Sequence, residues 1–392
     1  MEYNYLKSLI VIFLIYKDEE DYMNKEYVKP NYSECITNLA NSIMKYFQLE
    51  TYHNGIREVD KILNKKNPKN VIVILYDGMG KNILERCLTS GDFFIKNMVK
   101  GFSSVSPATT TAATTSMLSG MNPSEHGWLG WDLYFKDINK VVTMFLNTIK
   151  DTKIKACNYN IAEKVFPYPN IIDKINSRGQ FYSKKLFPFG EEHYKDIDDM
   201  MHNIIYECKN NSQRKYIYAY YEDPDSTMHK YGANSKEAFE KIRMLNEKTE
   251  ALCEQLRDAV VIVVADHGHK DCKGILLSDY KDFYKLLDSD IWIEGRFCSF
   301  KVKKGCEKEF RRLFKRYFEN DFILKTRNEI IDEKILGDGV NNKLLEESIG
   351  DFVALGVTDK YFRYCNDSIN FKSMHAGFTE DEMIIPLIIV SK

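Results

Sequence analysis

Short runs rich in β-branched and aromatic residues recur along the chain at 70–76 (NVIVILY), 154–159, 215–221 (KYIYAYY), 259–265 (AVVIVVA), 352–357 and 385–390. Between them, 35–47, 196–209 and 235–256 carry apolar residues at helical spacing. Apolar strands alternating with helices are the mark of βαβ units, whose parallel strands are buried on both faces. The pattern therefore predicts an α/β fold with a mostly parallel central sheet and helices on both faces. No internal repeat or low-complexity linker interrupts it. Residues 272–374 are more charged and mixed, which marks a candidate cap or insertion within a domain spanning 23–392.

Composition adds exclusions. A chain of 392 residues with 44% hydrophobic, 29% charged and 13% aromatic residues can bury a sizeable core and is neither disordered nor collagen-like. Lys and Arg number 55 against 57 Asp and Glu, a formal charge of -2. No basic footprint for a nucleic-acid polymer results. The nine cysteines lie singly, without CxxC spacing, which reads as reduced thiols in a cytoplasmic protein. The apolar stretch at 6–16 is too short for a stable membrane span, and an acidic run follows it in place of a signal-peptide cleavage site. Residues 1–22 are expected to be a weakly structured or non-native extension, with translation starting at Met23. No oligomeric state is implied.

Candidate chemistry gathers at strand ends. The run VIVILY leads into Asp77, YIYAYY into Glu222, Asp223 and Asp225, and VVIVVA into Asp266. Open α/β sheets bind ligands at the carboxyl ends of their strands. A single Asp there is ordinarily a turn or cap residue. Here the acids have histidine companions: His267 directly after Asp266, His229 one helical turn after Asp225, and His375 before the last strand. Asp and His donors without a thiolate suit zinc, with manganese or another divalent ion as the alternative. Six such groups exceed one tetrahedral ion and suit two ions about 4 Å apart, the spacing that clamps a phosphorus centre. A nucleophile is offered by Thr109, Thr110 and Thr111, which open a helix-compatible stretch ending at Gly120. A hydroxyl there would sit at the positive end of the helix dipole.

In order along the chain, LYDGMG, the threonine segment through SGMNPSEHG, EDPDSTMHKYG, ADHGH and MHAG resemble the nucleotide pyrophosphatase/phosphodiesterase family of the alkaline phosphatase superfamily. The resemblance implies an alkaline-phosphatase-like three-layer sandwich and two Zn2+. One zinc would be held by Asp77, Thr110, Asp266 and His267, the other by Asp225, His229 and His375. It selects Thr110 as nucleophile, ten residues before Gly120. A phosphothreonine intermediate is implied, with a small-molecule phosphate ester or nucleotide as substrate.

Departures from the family bear on specificity. Where eukaryotic members carry Asn-His and a phosphate-holding Asn, this chain has Ala113, Thr114 and Trp131. The backbone amide of Thr111 can still serve an oxyanion, and Trp128 or Trp131 can stack on a base or sugar. No Lys or Arg occurs from 101 through 135, which favours a diester or pyrophosphate over a dianionic monoester. The alternatives are a phosphomonoesterase or phosphonate hydrolase on the same metals, and a non-catalytic metal-stabilised binding protein.

Overall fold

A computed structural model describes residues 27–190, 193–210, 212–364 and 370–392. The expected extension 1–22 and its apolar stretch 6–16 lie outside the described residues. Six strands form the central sheet: β1 (Asn70–Tyr76), β2 (Met98–Ser103), β3 (Tyr182–Leu186), β4 (Lys215–Tyr221), β5 (Ala259–Val264) and β6 (Ile384–Ser391). Their order is β2-β6-β5-β1-β4-β3. The pairs β3/β4, β4/β1 and β1/β5 are parallel, and β6 runs antiparallel to its two neighbours. Every residue of β1 and β5 is buried, so their unbroken apolar runs are what two covered faces require. In register, Leu75 stands opposite Tyr220 and Val264. The chain therefore leaves β1, β4 and β5 at one level, and Asp77, the 222–225 turn and Asp266 emerge along a single edge.

Four helices matter for that edge: α1 (Ile36–Tyr46), α2 (Thr110–Ser119), α3 (Asp225–Tyr231) and α4 (Lys236–Gln255). The helical patterns at 35–47, 196–209 and 235–256 correspond to α1, to Ile197–Asn210 and to α4. Helix α1 packs on α2, and α3 packs on α4. No described helix is long and apolar enough to cross a membrane. All eight described cysteines are free thiols.

A second, seven-stranded sheet is antiparallel throughout. Its strands, in spatial order, are Phe322–Thr326, Phe352–Gly356, Phe297–Phe300, Trp292–Ile293, Asp132–Phe135, Lys140–Thr143 and Thr148–Ile149. Thus the expected strand at 352–357 exists but belongs to this sheet and not to the parallel one. The expected strand at 154–159 is absent: Ile154 is 62% exposed, and Lys155 makes only an isolated bridge to Thr148. Its few apolar residues bury no common face, so nothing pays for ordering it as a strand. Behind the sheet lies an aromatic core in which Phe283, Phe300, Phe310, Phe314, Phe318 and Phe362 meet. A buried ion pair, Arg296 to both oxygens of Glu382 at 2.6 and 2.7 Å, joins the two sheets beside the turn that follows His375. Glu382 also accepts from the Gly377 amide at 2.7 Å, which places that turn.

Candidate active site

Main-chain bonds hold the ends of β1 and β4 together. The Asp77 amide donates to the Tyr221 carbonyl at 2.9 Å, and the Asp225 amide donates to the Asp77 carbonyl at 3.0 Å. Asp266, just beyond β5, accepts at one oxygen from the Gly78 and His267 amides, both at 3.0 Å. The next residue, Gly268, passes so close to the chain at Asp381 that a Cβ would lie 2.0 Å from its carbonyl oxygen. Only glycine fits this crossing, and it turns His267 back over the strand ends. From the other side, Thr109 caps α2 in an extended conformation and Thr110 is the first helical residue, with Gly120 ending the helix at φ +76°.

Two groups of donors result. In the first, Thr110 Oγ1 is 3.3 and 3.4 Å from the two Asp77 oxygens and 3.3 Å from His267 Nε2. His267 Nε2 stands 3.2 Å from Asp77 Oδ1 and 3.7 Å from Asp266 Oδ2. Ligands about 2.0–2.1 Å from a tetrahedral ion stand about 3.3–3.4 Å from one another, so this spacing matches donors around one cation. Asp266 Oδ2 is buried without a hydrogen-bond partner, an acceptor in need of a positive charge. His267 Nδ1 lies 3.1 Å from the Gly268 carbonyl, which only accepts. One proton therefore sits on Nδ1, and Nε2, the nitrogen that faces the carboxylates, becomes a lone-pair donor once a cation takes the place of its proton.

The second group forms around Asp225 Oδ1, with His229 Nε2 at 3.4 Å and His375 Nε2 at 3.9 Å. The accounting for His229 is the same: its Nδ1 is 2.8 Å from the Ser373 carbonyl, which leaves Nε2 a lone-pair donor. His375 stacks on His267, ring centroids 3.9 Å apart, so the two groups adjoin. A further residue of the site, His269, is not singled out by the strand-end pattern. This fully buried ring places Nε2 2.5 Å from Asp225 Oδ1 and Nδ1 2.9 Å from Ser373 Oγ. Ser373 Oγ donates to the Met228 carbonyl and so accepts from His269 Nδ1, which leaves Nε2 of the neutral ring a lone pair against Asp225 Oδ1, a further donor beside the second group. A signal existed in the string Asp266-His267-Gly268-His269, where a second imidazole follows the first at the same strand end.

Electrostatics show what these donors lack. Burial, then the neighbouring Asp266 and Asp225, push the Asp77 carboxyl well above the usual range, and burial raises Asp266 as well. Burial also acts to raise Asp225, but His229, His269 and His375 overcome it and hold that carboxyl well below its ordinary value. Burial opposes protonation of His267, yet Asp266 and Asp77 carry it up to about 10. Burial drives His269 down to about 4 and lowers His375 strongly. Acids that resist ionisation beside imidazole lone pairs form a site whose strain a divalent cation relieves.

A cavity of about 350 Å³ opens over both groups, lined by Thr110, Asp225, His229 and His375 on one side. Trp131, Lys150, Glu294 and Arg363 line it on the other. Trp131 is 44% exposed, whereas Trp128 is buried and donates its indole N–H to the Phe166 carbonyl at 2.8 Å. Both indoles touch Phe145, so Trp128 lies behind the cavity wall and Trp131 on it. The Thr111 side chain is fully buried, and Thr111, unlike Thr109 and Thr110, does not line the cavity.

Residues 71–368 match the family model described as type I phosphodiesterase/nucleotide pyrophosphatase, about three quarters of the chain. No curated protein sequence matches. Among solved structures, murine ectonucleotide pyrophosphatase/phosphodiesterase 5 superposes with a TM-score of 0.63 at 18% identity, over 81% of this chain and 87% of that one. An inactive form of the murine protein in complex with AMP matches equally, at 17% identity with the same coverage. Phosphonoacetate hydrolase from Sinorhizobium meliloti 1021, in complex with phosphonoformate, gives 0.60 at 17% identity, over 82% of this chain and 90% of that one.

Proposed function

The chain belongs to the type I phosphodiesterase/nucleotide pyrophosphatase family, and from that premise we propose that it is a metal-dependent hydrolase of phosphodiester or phosphoanhydride bonds in nucleotides or similar small molecules, acting through a phosphothreonine at Thr110. The observation that carries the reading is the position of Thr110 Oγ1, 3.3 Å from both an Asp77 oxygen and His267 Nε2 at the mouth of the cavity. Asp77, Thr110, Asp266 and His267 would hold one divalent ion, and Asp225, His229 and His375 a second, zinc by the chemistry of the donors. When bound, such ions supply positive charge that favours the ionised hydroxyl and offsets charge developing on the phosphoryl oxygens.

The protein's own groups do the rest. Thr110, the first residue of α2, lines the cavity, so its hydroxyl oxygen would attack phosphorus, and the Thr111 amide at the same helix start would serve a phosphoryl oxygen. The bond to the leaving alcohol or phosphate breaks as the Thr110 oxygen to phosphorus bond forms, and the Thr110 proton leaves to solvent. Water then cleaves the phosphothreonine from the opposite side, beside Asp225, His229 and His375. Trp131 presents an aromatic face to one arm of the substrate.

The decisive experiment pairs elemental analysis with activity. Protein purified without chelator is expected to contain about two zinc per chain and to cleave bis-aryl phosphate. Chelation should abolish that cleavage and zinc should restore it. Acid quenching during turnover should trap phosphate on Thr110, detectable by peptide mass. Full activity in a Thr110→Ala protein would refute the mechanism. A second reading, hydrolysis of a phosphonate on the same donors, draws support from the cationic Lys150 and Arg363 on the cavity's far wall, and phosphonate turnover faster than diester turnover would establish it.

A further inference from the structure

The antiparallel sheet brings one acid to the nucleophile's side of the cavity. Glu294 follows Ile293, whose φ of +74° is a backbone state that a β-branched residue takes only under constraint. The constraint is a close crossing: a Cβ on Gly130 would lie 2.6 Å from the Ile293 carbonyl oxygen. Only glycine lets the two backbones touch there, and the crossing turns Glu294 toward α2. Its Oε1 accepts hydrogen bonds from the hydroxyl of Thr109 at 2.6 Å and from the amide of Trp131 at 2.9 Å. Thr109 is the residue before the proposed nucleophile. Both bonds fall on one oxygen, which leaves Oε2 to the cavity that Glu294 shares with Thr110, Asp225, His229 and His375.

We infer that Glu294 selects the charge of the substrate, admitting a phosphoryl group with a single negative charge, as in a diester, and rejecting a dianionic monoester. The argument rests on Thr110 being the nucleophile, because that is what brings phosphoryl oxygens beside Glu294. A monoester dianion presents an additional charged oxygen where the diester carries its second organic arm. Beside a carboxylate at short range, that extra charge is repelled. Neighbouring cations do not cancel the repulsion by proximity alone. Lys150 is engaged 3.1 Å from Asp132 and donates to the Ile291 carbonyl at 2.9 Å. Asp132 and Asp151 add negative charge to the same cavity, with Arg363 opposing them from the far wall. Burial raises the Glu294 carboxyl to about 7, so the filter is fully charged only at alkaline pH.

The test compares kcat/KM for mono-aryl and bis-aryl phosphate at pH 9 in the zinc-loaded wild type and in Glu294→Gln. Gln retains an acceptor for Thr109 and Trp131 and removes the charge. The monoester-to-diester ratio is expected to rise at least about tenfold, mainly through the monoester. Glu294→Asp, which withdraws the charge by one methylene, is expected to raise the ratio by about threefold, and it serves as the probe should the Gln protein not fold. An unchanged ratio in either folded variant, with diester cleavage retained, overturns the inference. Wild-type protein that cleaves neither ester sinks the underlying reading instead, and the inference with it.

Discussion

Both proposed ion sites draw their donors from loops at the carboxyl edge of the central sheet and from the start of α2, whereas Trp131, Lys150 and Glu294 reach the cavity from the antiparallel sheet. The two sets differ in support as well as origin. Asp77, Asp266 and His267 are buried and fixed by main-chain bonds, while Trp131 is nearly half exposed. Reaction chemistry needs donors held to within tenths of an ångström, which strand ends provide. Selection among substrates needs a wall that can vary without disturbing them. Substitutions on the first set should therefore change turnover or metal content, and those on the second should change preference.

The largest effect is expected at Thr110. Thr110→Ala should lower kcat on bis-aryl phosphate on the order of 10³-fold or more, with bound zinc little changed by elemental analysis. Asp225→Asn should reduce zinc from about two to about one per chain and take most of the activity with it. Retention of both ions would break the assignment of the second group. His269→Asn removes a donor beside Asp225 and should weaken the affinity of that ion by about 10-fold or more, measured by competition with a chromophoric chelator. An unaltered affinity would remove His269 from the site.

A smaller effect follows from pH. Asp77, Asp266 and Glu294 have carboxyls raised above their unfolded values, so the stability they contribute is present below about pH 4 and is lost as pH rises through the raised values, near 7 for Glu294. Asp225 has the opposite sign, its stabilisation being present above pH 4 and lost on acidification. Chelated protein should accordingly lose thermal stability between pH 5 and 7, and the rise in Tm on adding zinc should grow over the same interval. A zinc-induced rise that is flat with pH would contradict it. The smallest effect is reserved for Trp131→Ala, expected to raise KM for a nucleotide diester by a few-fold and to leave zinc content unchanged.

The division also explains what could be read in advance. Strands β1, β4 and β5 announce themselves because burial on both faces demands apolar residues at nearly every position, and the acids that end them mark the edge. In the second sheet, Trp292–Ile293 is too short to show alternation, and its partner Asp132–Phe135 is far away in sequence. Neither carries a local signal. Glu294 owes its place to a crossing with Gly130, a tertiary event that no periodicity records. Trp128 and Trp131 look alike as letters, and only tertiary structure, in which Trp128 is buried with its indole bonded to the Phe166 carbonyl, separates it from the one on the wall. His269 was visible as a residue, but its tie to Asp225 depends on how Gly268 folds the chain back.

The two backbone bonds between Asp77, Tyr221 and Asp225 bear on how such a protein changes over generations. Because amides and carbonyls make the joint, it survives side-chain replacement at those three positions, proline at 77 or 225 excepted. A descendant could exchange a carboxylate there for an amide or a histidine, altering which ion it holds or whether it holds one, and inherit the alignment of the strand ends intact.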